Sequence, residues 1–156
     1  MIKINIVCIG TIKESFYKDA INEYMKRLSR FAKVSIVECN ECKIQSATPD
    51  DVLKIEGANM LKRIKQGEYI SLIDLHGKEF DSLEFSNYLN DLIKKGVSPI
   101  NFVIGGTLGL SNDLRKVANE KICLSQLTFT HQMTRVILLE QIYRSFKIIN
   151  NESYHH

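Results

Sequence analysis

An α/β domain with a mostly parallel sheet and helices on both faces is what this sequence predicts, from three observations. Short apolar runs alternate with segments whose apolar residues recur at three and four along the whole chain, the signature of alternating strands and crossover helices. No internal repeat, low-complexity tract or linker divides the 156 residues, which suit one domain with one main body. Finally, the apolar run Phe102-Val103-Ile104 ends in Gly105-Gly106-Thr107-Leu108-Gly109, which presents backbone amides without side chains where a strand stops. Open α/β sheets take ligands at that edge, so the glycine turn reads as part of a cofactor pocket.

The elements follow in order. Residues 2–9 read as a strand. Residues 14–31 read as a helix, since Phe16, Ala20, Ile21, Tyr24, Met25 and Leu28 fall at helical spacing. A second strand is expected over 33–39 and a loop over 40–49. Pro49-Asp50-Asp51 then opens a helix with an early proline and acids in its first turn, running to about Gln66. Residues 69–75 form a buried strand closed by His76-Gly77. Asp81-Ser82-Leu83-Glu84 caps a helix that ends at Lys94-Lys95-Gly96. Residues 100–104 give the next strand, Ser111-Asn112-Asp113 starts a short helix, 121–126 make a fifth strand, and 132–149 form the final helix. Right-handed crossovers leave few topologies for such a string.

Composition narrows the function. A formal charge of +3 is too mild to mark a nucleic-acid binder by itself, and the clusters Lys26, Arg27, Arg30, Lys33 and Lys62, Arg63, Lys65 read as solvated helix ends. No stretch is long enough to cross a membrane, and the first residues are too short and too alternating for a secretory signal, so a cytoplasmic protein without membrane contact is expected. The four cysteines are scattered. Cys39 and Cys42 are close, but no second pair of ligands completes a zinc set and the pair does not open a helix, so neither a metal nor a redox role is expected.

The final helix is apolar on two sides. Val136, Leu138, Leu139, Ile142, Tyr143, Phe146 and Ile149 share one arc, while Ile137 and Ile148 lie opposite. A sheet covers one of these faces, and a second copy of the chain is expected to cover the other. Arg135 breaks the pattern, a cation amid the apolar arc near the helix start, where the helix dipole disfavours it. Either it is placed for a ligand, a phosphate or a partner chain, or it snorkels to water.

Taken together, Gly105-Gly-x-x-Gly109-Leu110, Leu124-Ser125-x-Leu127-Thr128-Phe129-x-His131-Gln132-x-x-Arg135-Val136, Glu140-Gln141-Ile142-Tyr143-Arg144 and the tail Tyr154-His155 resemble the RlmH family of SPOUT-class methyltransferases. The resemblance covers essentially the whole chain. It implies a C-terminal trefoil knot around a site for S-adenosylmethionine. It also implies methylation of N3 of a pseudouridine in 23S ribosomal RNA, by a homodimer acting on the ribosome. By residue-wise match, Ile73, the glycines Gly105, Gly106 and Gly109, and Leu124, Ser125, Gln126, Leu127, Thr128 and Phe129 surround the cofactor. An apolar slot with main-chain hydrogen bonds suits an adenine.

With a sulfonium as methyl donor, the protein must chiefly align donor and nucleophile, and no covalent intermediate is needed. The N3 proton must leave, which makes His131 and His155 candidate acceptors, with Tyr154 and Arg135 available for stacking, orientation or charge stabilisation. Two positions depart from the family pattern. Thr130 stands where proline is usual, which should loosen the loop, and Thr107-Leu108 replaces the commoner pairs inside the glycine turn. A dinucleotide-dependent oxidoreductase lacks its glycine fingerprint after the first strand, and a P-loop lacks its Gly-Lys-Ser/Thr. A non-catalytic RNA-binding module is the alternative, and it leaves the glycine turn unexplained.

Overall fold

A computed structural model describes residues 1–156. In chain order the elements are β1 (Lys3–Ile9), α1 (Ser15–Leu28), β2 (Lys33–Cys39), α2 (Pro49–Leu61), β3 (Tyr69–Glu79), α3 (Ser82–Lys94), β4 (Ile100–Ile104), α4 (Asn112–Val117), β5 (Glu120–Cys123) and α5 (His131–Ile149). The five strands form one sheet in the order β2-β1-β4-β3-β5, and every pairing is parallel. Successive strand residues face opposite sides. Ile4, Ile6, Cys8, Phe102 and Ile104 therefore meet α1, α3 and α5 on one face. Val7, Ile9, Leu72 and Val103 meet α2 and α4 on the other.

The helix starts are local and were readable. Thr48 and Asp81 each close a reciprocal capping box, Thr48 with Asp51 and Asp81 with Glu84. Ser111 accepts from the Leu114 amide to cap α4. The helix ends fall earlier than the periodicity implied, at Leu28 for α1 and Leu61 for α2, and Phe16 faces solvent instead of the core.

Two strands differ from expectation, and the difference builds the site. β3 does not close at His76-Gly77. It runs on to Glu79 and pairs β5 twice, with Ile122 opposite Ile73 and again opposite Lys78, the residues between bulging out. Gly77 is required there, because a Cβ would sit 2.6 Å from the Ile122 nitrogen and from the Lys121 carbonyl carbon. β5 stops at Cys123, so residues 124–130 leave the sheet as a loop.

α5 packs between α1 and α3, and no residue from Thr134 to Ile149 is fully exposed. That placement covers more than one side of the helix within a single chain. Ile137 and Ile148 remain half-buried. No helix is long and apolar enough to cross a membrane.

Candidate cofactor site

Beyond the C-terminal end of β4, beside the bulge of β3, lies a cavity of about 1030 Å³. Ile104, which ends β4, and Ile73 beside it in β3 form its base, the glycine turn forms one wall, and the loop 124–130 forms another. The turn is tight. The Gly109 amide donates to the Gly106 carbonyl at 3.0 Å, and Gly109 has φ +96°, a conformation that favours glycine. A Cβ on Gly105 would sit 2.3 Å from the Gly109 carbonyl oxygen, so this position admits no side chain. In the loop, Ser125 Oγ accepts from the Leu127 amide at 3.0 Å and the Cys123 thiol donates to the Ser125 carbonyl. Leu127 is thereby turned outward and is 73% exposed, an unusual state for a leucine beside an apolar slot.

The lining suits an adenosyl group: Ile73, Leu124 and Leu127 provide apolar surface, and the side-chain-free turn leaves main-chain groups approachable. Asp74 is buried at the wall and pairs with Arg115 at 2.6 Å, while its second oxygen accepts from the His76 amide. Arg115 is the sole lysine or arginine in the lining.

Comparison with known proteins agrees with this geometry. Residues 2–155 match the family model described as "Predicted SPOUT methyltransferase". The chain belongs to the SPOUT methyltransferase family. Among curated relatives, "Ribosomal RNA large subunit methyltransferase H" of Ruminiclostridium cellulolyticum is 47% identical over 98% of this chain and 99% of its own length. The protein of the same name from Clostridium tetani is 46% identical over 97% and 98%. Two solved structures share the fold. A probable methylase family protein from Haemophilus influenzae has a TM-score of 0.53 at 16% identity, covering 98% of this chain and 70% of that one. A probable methyltransferase from Bordetella pertussis has 0.52 at 10% identity, covering 92% and 94%.

In this SPOUT domain, Ile73, Gly105, Gly106, Gly109, Leu124, Ser125, Leu127, Thr128 and Phe129 all line the cavity. Gln126 does not. Its side-chain amide donates to Glu79 at the end of β3, drawing it away from the cavity. Leu53, Asp74, His76, Asn112 and Arg115 line it unannounced. The only sequence signal for Asp74 is a carboxylate inside an otherwise apolar strand.

His131 is the first residue of α5 and lines the cavity. Its Nδ1 is sealed from solvent and has no hydrogen-bond partner. Burial, and then the Arg135 cation, push its pKa below the ordinary histidine value, which favours the neutral ring. Thr130 accounts for the missing proline. With φ −61° it already holds a proline-like backbone, and its hydroxyl accepts from the Met133 amide as the N-cap of α5.

Arg135 requires a correction. Its guanidinium neither faces the cavity nor reaches water: the residue is 0% exposed. Nη1 donates to Glu38 at 2.8 Å, and Nη2 donates to the carbonyls of Ile9 and Gly10 at 2.8 and 2.9 Å. The arginine ties α5 to the ends of β1 and β2. Beside it, burial pushes the Cys8 thiol up to about 12 despite the neighbouring cation.

Within one chain the tail lies apart from His131. Tyr154 packs edge-on against Tyr143 with centroids 4.9 Å apart, Arg144 lies 4.8 Å over its ring, and Arg144 hydrogen-bonds His155 at 3.0 Å. These groups gather at the C-terminal end of α5, whereas His131 is at its start. Nineteen residues of helix put the two ends ~28 Å apart. One chain therefore does not bring Tyr154 and His155 to its own cavity.

Proposed function

We propose that this SPOUT methyltransferase transfers the methyl group of S-adenosylmethionine to N3 of a pseudouridine in 23S ribosomal RNA, working as a homodimer on the ribosome in the cytoplasm. The observation that carries the reading is the glycine-walled cavity at the sheet edge, in a chain that matches ribosomal RNA methyltransferases along nearly its whole length. The return of the chain from edge strand β5, past the glycine turn, to the face between α1 and α3 supports a knotted path around that cavity.

When bound, the cofactor supplies an electrophilic methyl on a positively charged sulfur. The chain's own residues do the rest. Ile73, Leu124 and Leu127 hold the adenine and exclude water, and the glycine turn admits the ligand against main chain. His131, kept neutral by burial, accepts the N3 proton at Nε2, the ring nitrogen that burial does not seal, so the base nitrogen attacks with its lone pair.

Tyr154 and His155 come from the second copy. Supporting this are their distance from their own cavity and the exposed apolar side chains Leu75, Leu108, Leu127, Phe129 and Met133 at or beside the cavity mouth. Arg27 lies over both Tyr24 and Tyr143, so the same helix end offers stacked cations and aromatic faces to RNA.

The test is transfer of labelled methyl to ribosomes lacking the modification, beside free 23S RNA, with wild type and His131→Ala. Label in the pseudouridine-containing loop, lost in a variant that still binds cofactor, is the expected result. Cofactor binding with no label on either substrate would overturn the assigned target.

A further inference from the structure

A second cavity, of about 240 Å³, shares residues 106–108 of the glycine turn and His131 with the large one. Its charge comes from Glu41 and Glu56. Glu56, on α2, is 8% exposed. One of its oxygens accepts from the Cys42 amide at 3.0 Å, and the other, Oε1, has no partner. That free oxygen lies against the glycine turn, 2.6 Å from where a Cβ on Gly106 would be. Neither Glu41 nor Glu56 has a lysine or arginine within ion-pair distance. The unpartnered Nδ1 of His131 adds a second unmet polar group at the same place, beside Glu56 Oε1.

A carboxylate buried without a cation is costly, and proteins keep such an arrangement where something else supplies the charge. A resident metal is a poor fit, because no group of three or more His, Cys, Asp or Glu converges anywhere in the chain. The neighbouring large cavity holds a ligand that itself carries a compact cationic donor. We propose that Glu56 Oε1, with Glu41 as the second charge, seats the α-ammonium group of the cofactor's aminoacyl end. The inference rests on the reading that the large cavity binds S-adenosylmethionine.

Chemistry separates the ligand's two cations. The sulfonium has no N–H or O–H to donate, whereas the ammonium has three N–H donors and matches an unpaired carboxylate oxygen. The space exceeds the ~30 Å³ share of a single water several-fold, enough for an ammonium and its neighbouring methylenes. Glycine at position 106 keeps the turn thin between the two cavities. A carboxylate set here rewards the complete amino acid over an analogue without its amine.

Calorimetric titration of the full chain tests this with two ligands, S-adenosylmethionine and its analogue carrying a hydroxyl in place of the α-amino group. Wild type should bind the analogue about tenfold or more weakly, the value of a charge-assisted hydrogen bond. Glu56→Gln should lose a similar factor for S-adenosylmethionine and bind both ligands alike. Glu41→Gln, at the exposed rim, leaves the fold intact and should show a smaller, few-fold loss confined to the amine-bearing ligand. If Glu56→Gln weakens both ligands equally, Glu56 only braces the glycine turn and the proposal falls. If both variants keep the wild-type preference, it also falls while the cofactor reading stands. If wild type binds neither ligand, the cofactor reading itself fails, and this inference with it.

Discussion

The two ends of α5 are built on opposite plans. At its start, His131 carries an unsatisfied buried nitrogen, the adjoining loop turns Leu127 outward, and the glycine turn leaves space where side chains would stand. At its end, Glu140 holds Arg144, Arg144 holds His155 and covers Tyr154, and Lys147 and Arg30 share Glu152. Unmet groups and exposed apolar surface are expensive, and they concentrate where a ligand or partner completes the structure. The satisfied end presents a preformed surface of aromatic rings and cations. One helix thus carries an open site at one end and a satisfied surface at the other.

The largest loss should come from removing the tie that fixes the first end in place. Arg135→Ala leaves the Ile9 and Gly10 carbonyls without their donor and Glu38 without its cation, and should cost roughly 3–5 kcal/mol of stability by chemical denaturation. A loss below about 1 kcal/mol would mean that the guanidinium is not structural. Next comes His131→Ala. It should leave cofactor affinity within a few-fold and lower the single-turnover methylation rate about 100-fold.

Wild-type rate should also report the ring's depressed pKa. The neutral base persists through neutral pH, and the rate falls only below the ordinary histidine range. The same shift acts on stability. The folded state binds this proton less readily than the unfolded chain, so the contribution is present above the ordinary histidine pKa of 6.5 and is lost as pH falls below it. A rate that declined between pH 8 and pH 7, about a unit above the free histidine value, would remove His131 as the acceptor.

A smaller effect is expected at the cap. Thr130→Ala should cost about 1 kcal/mol, seen as a lower Tm. Smallest is Arg144→Ala, under about 1 kcal/mol in stability because its pair with Glu140 is partly solvated, but with a clear rise in KM for ribosomes. Equal effects of Arg135→Ala and Arg144→Ala on stability would erase the distinction between the ends.

Much of this was legible in the sequence. Strand and helix order followed from periodicity, and the helix starts at Pro49-Asp50-Asp51, Asp81 and Ser111 from local chemistry, since each is decided within four residues; that Thr48 caps the first of them did not. The glycine turn was legible as a cavity wall from its residues, and residues 124–129 only through the family resemblance, since 124–126 were expected in a strand. What escaped depends on distant partners. β3 extends past Gly77 because β5, more than forty residues on, pairs with it twice. Arg135 looked like a ligand contact because its acceptors lie 97 to 126 residues away. Asp74 and Arg115, and the Glu56 cavity, join separate elements in the same way. Periodicity has no access to such pairs.

The proposed dimer brings the two ends of α5 together, the tail of one copy completing the cavity of the other. Complementation tests it most directly. His131→Ala and Tyr154→Ala chains are refolded together, and methyl transfer to unmodified ribosomes is compared with each alone. If the tail acts on the partner's cavity, each mixed dimer regains one intact site, and the mixture recovers about a quarter of wild-type activity from two inactive parents. If each tail served its own chain, no mixed dimer would hold an intact pair, and a mixture as inactive as its parents would contradict the account.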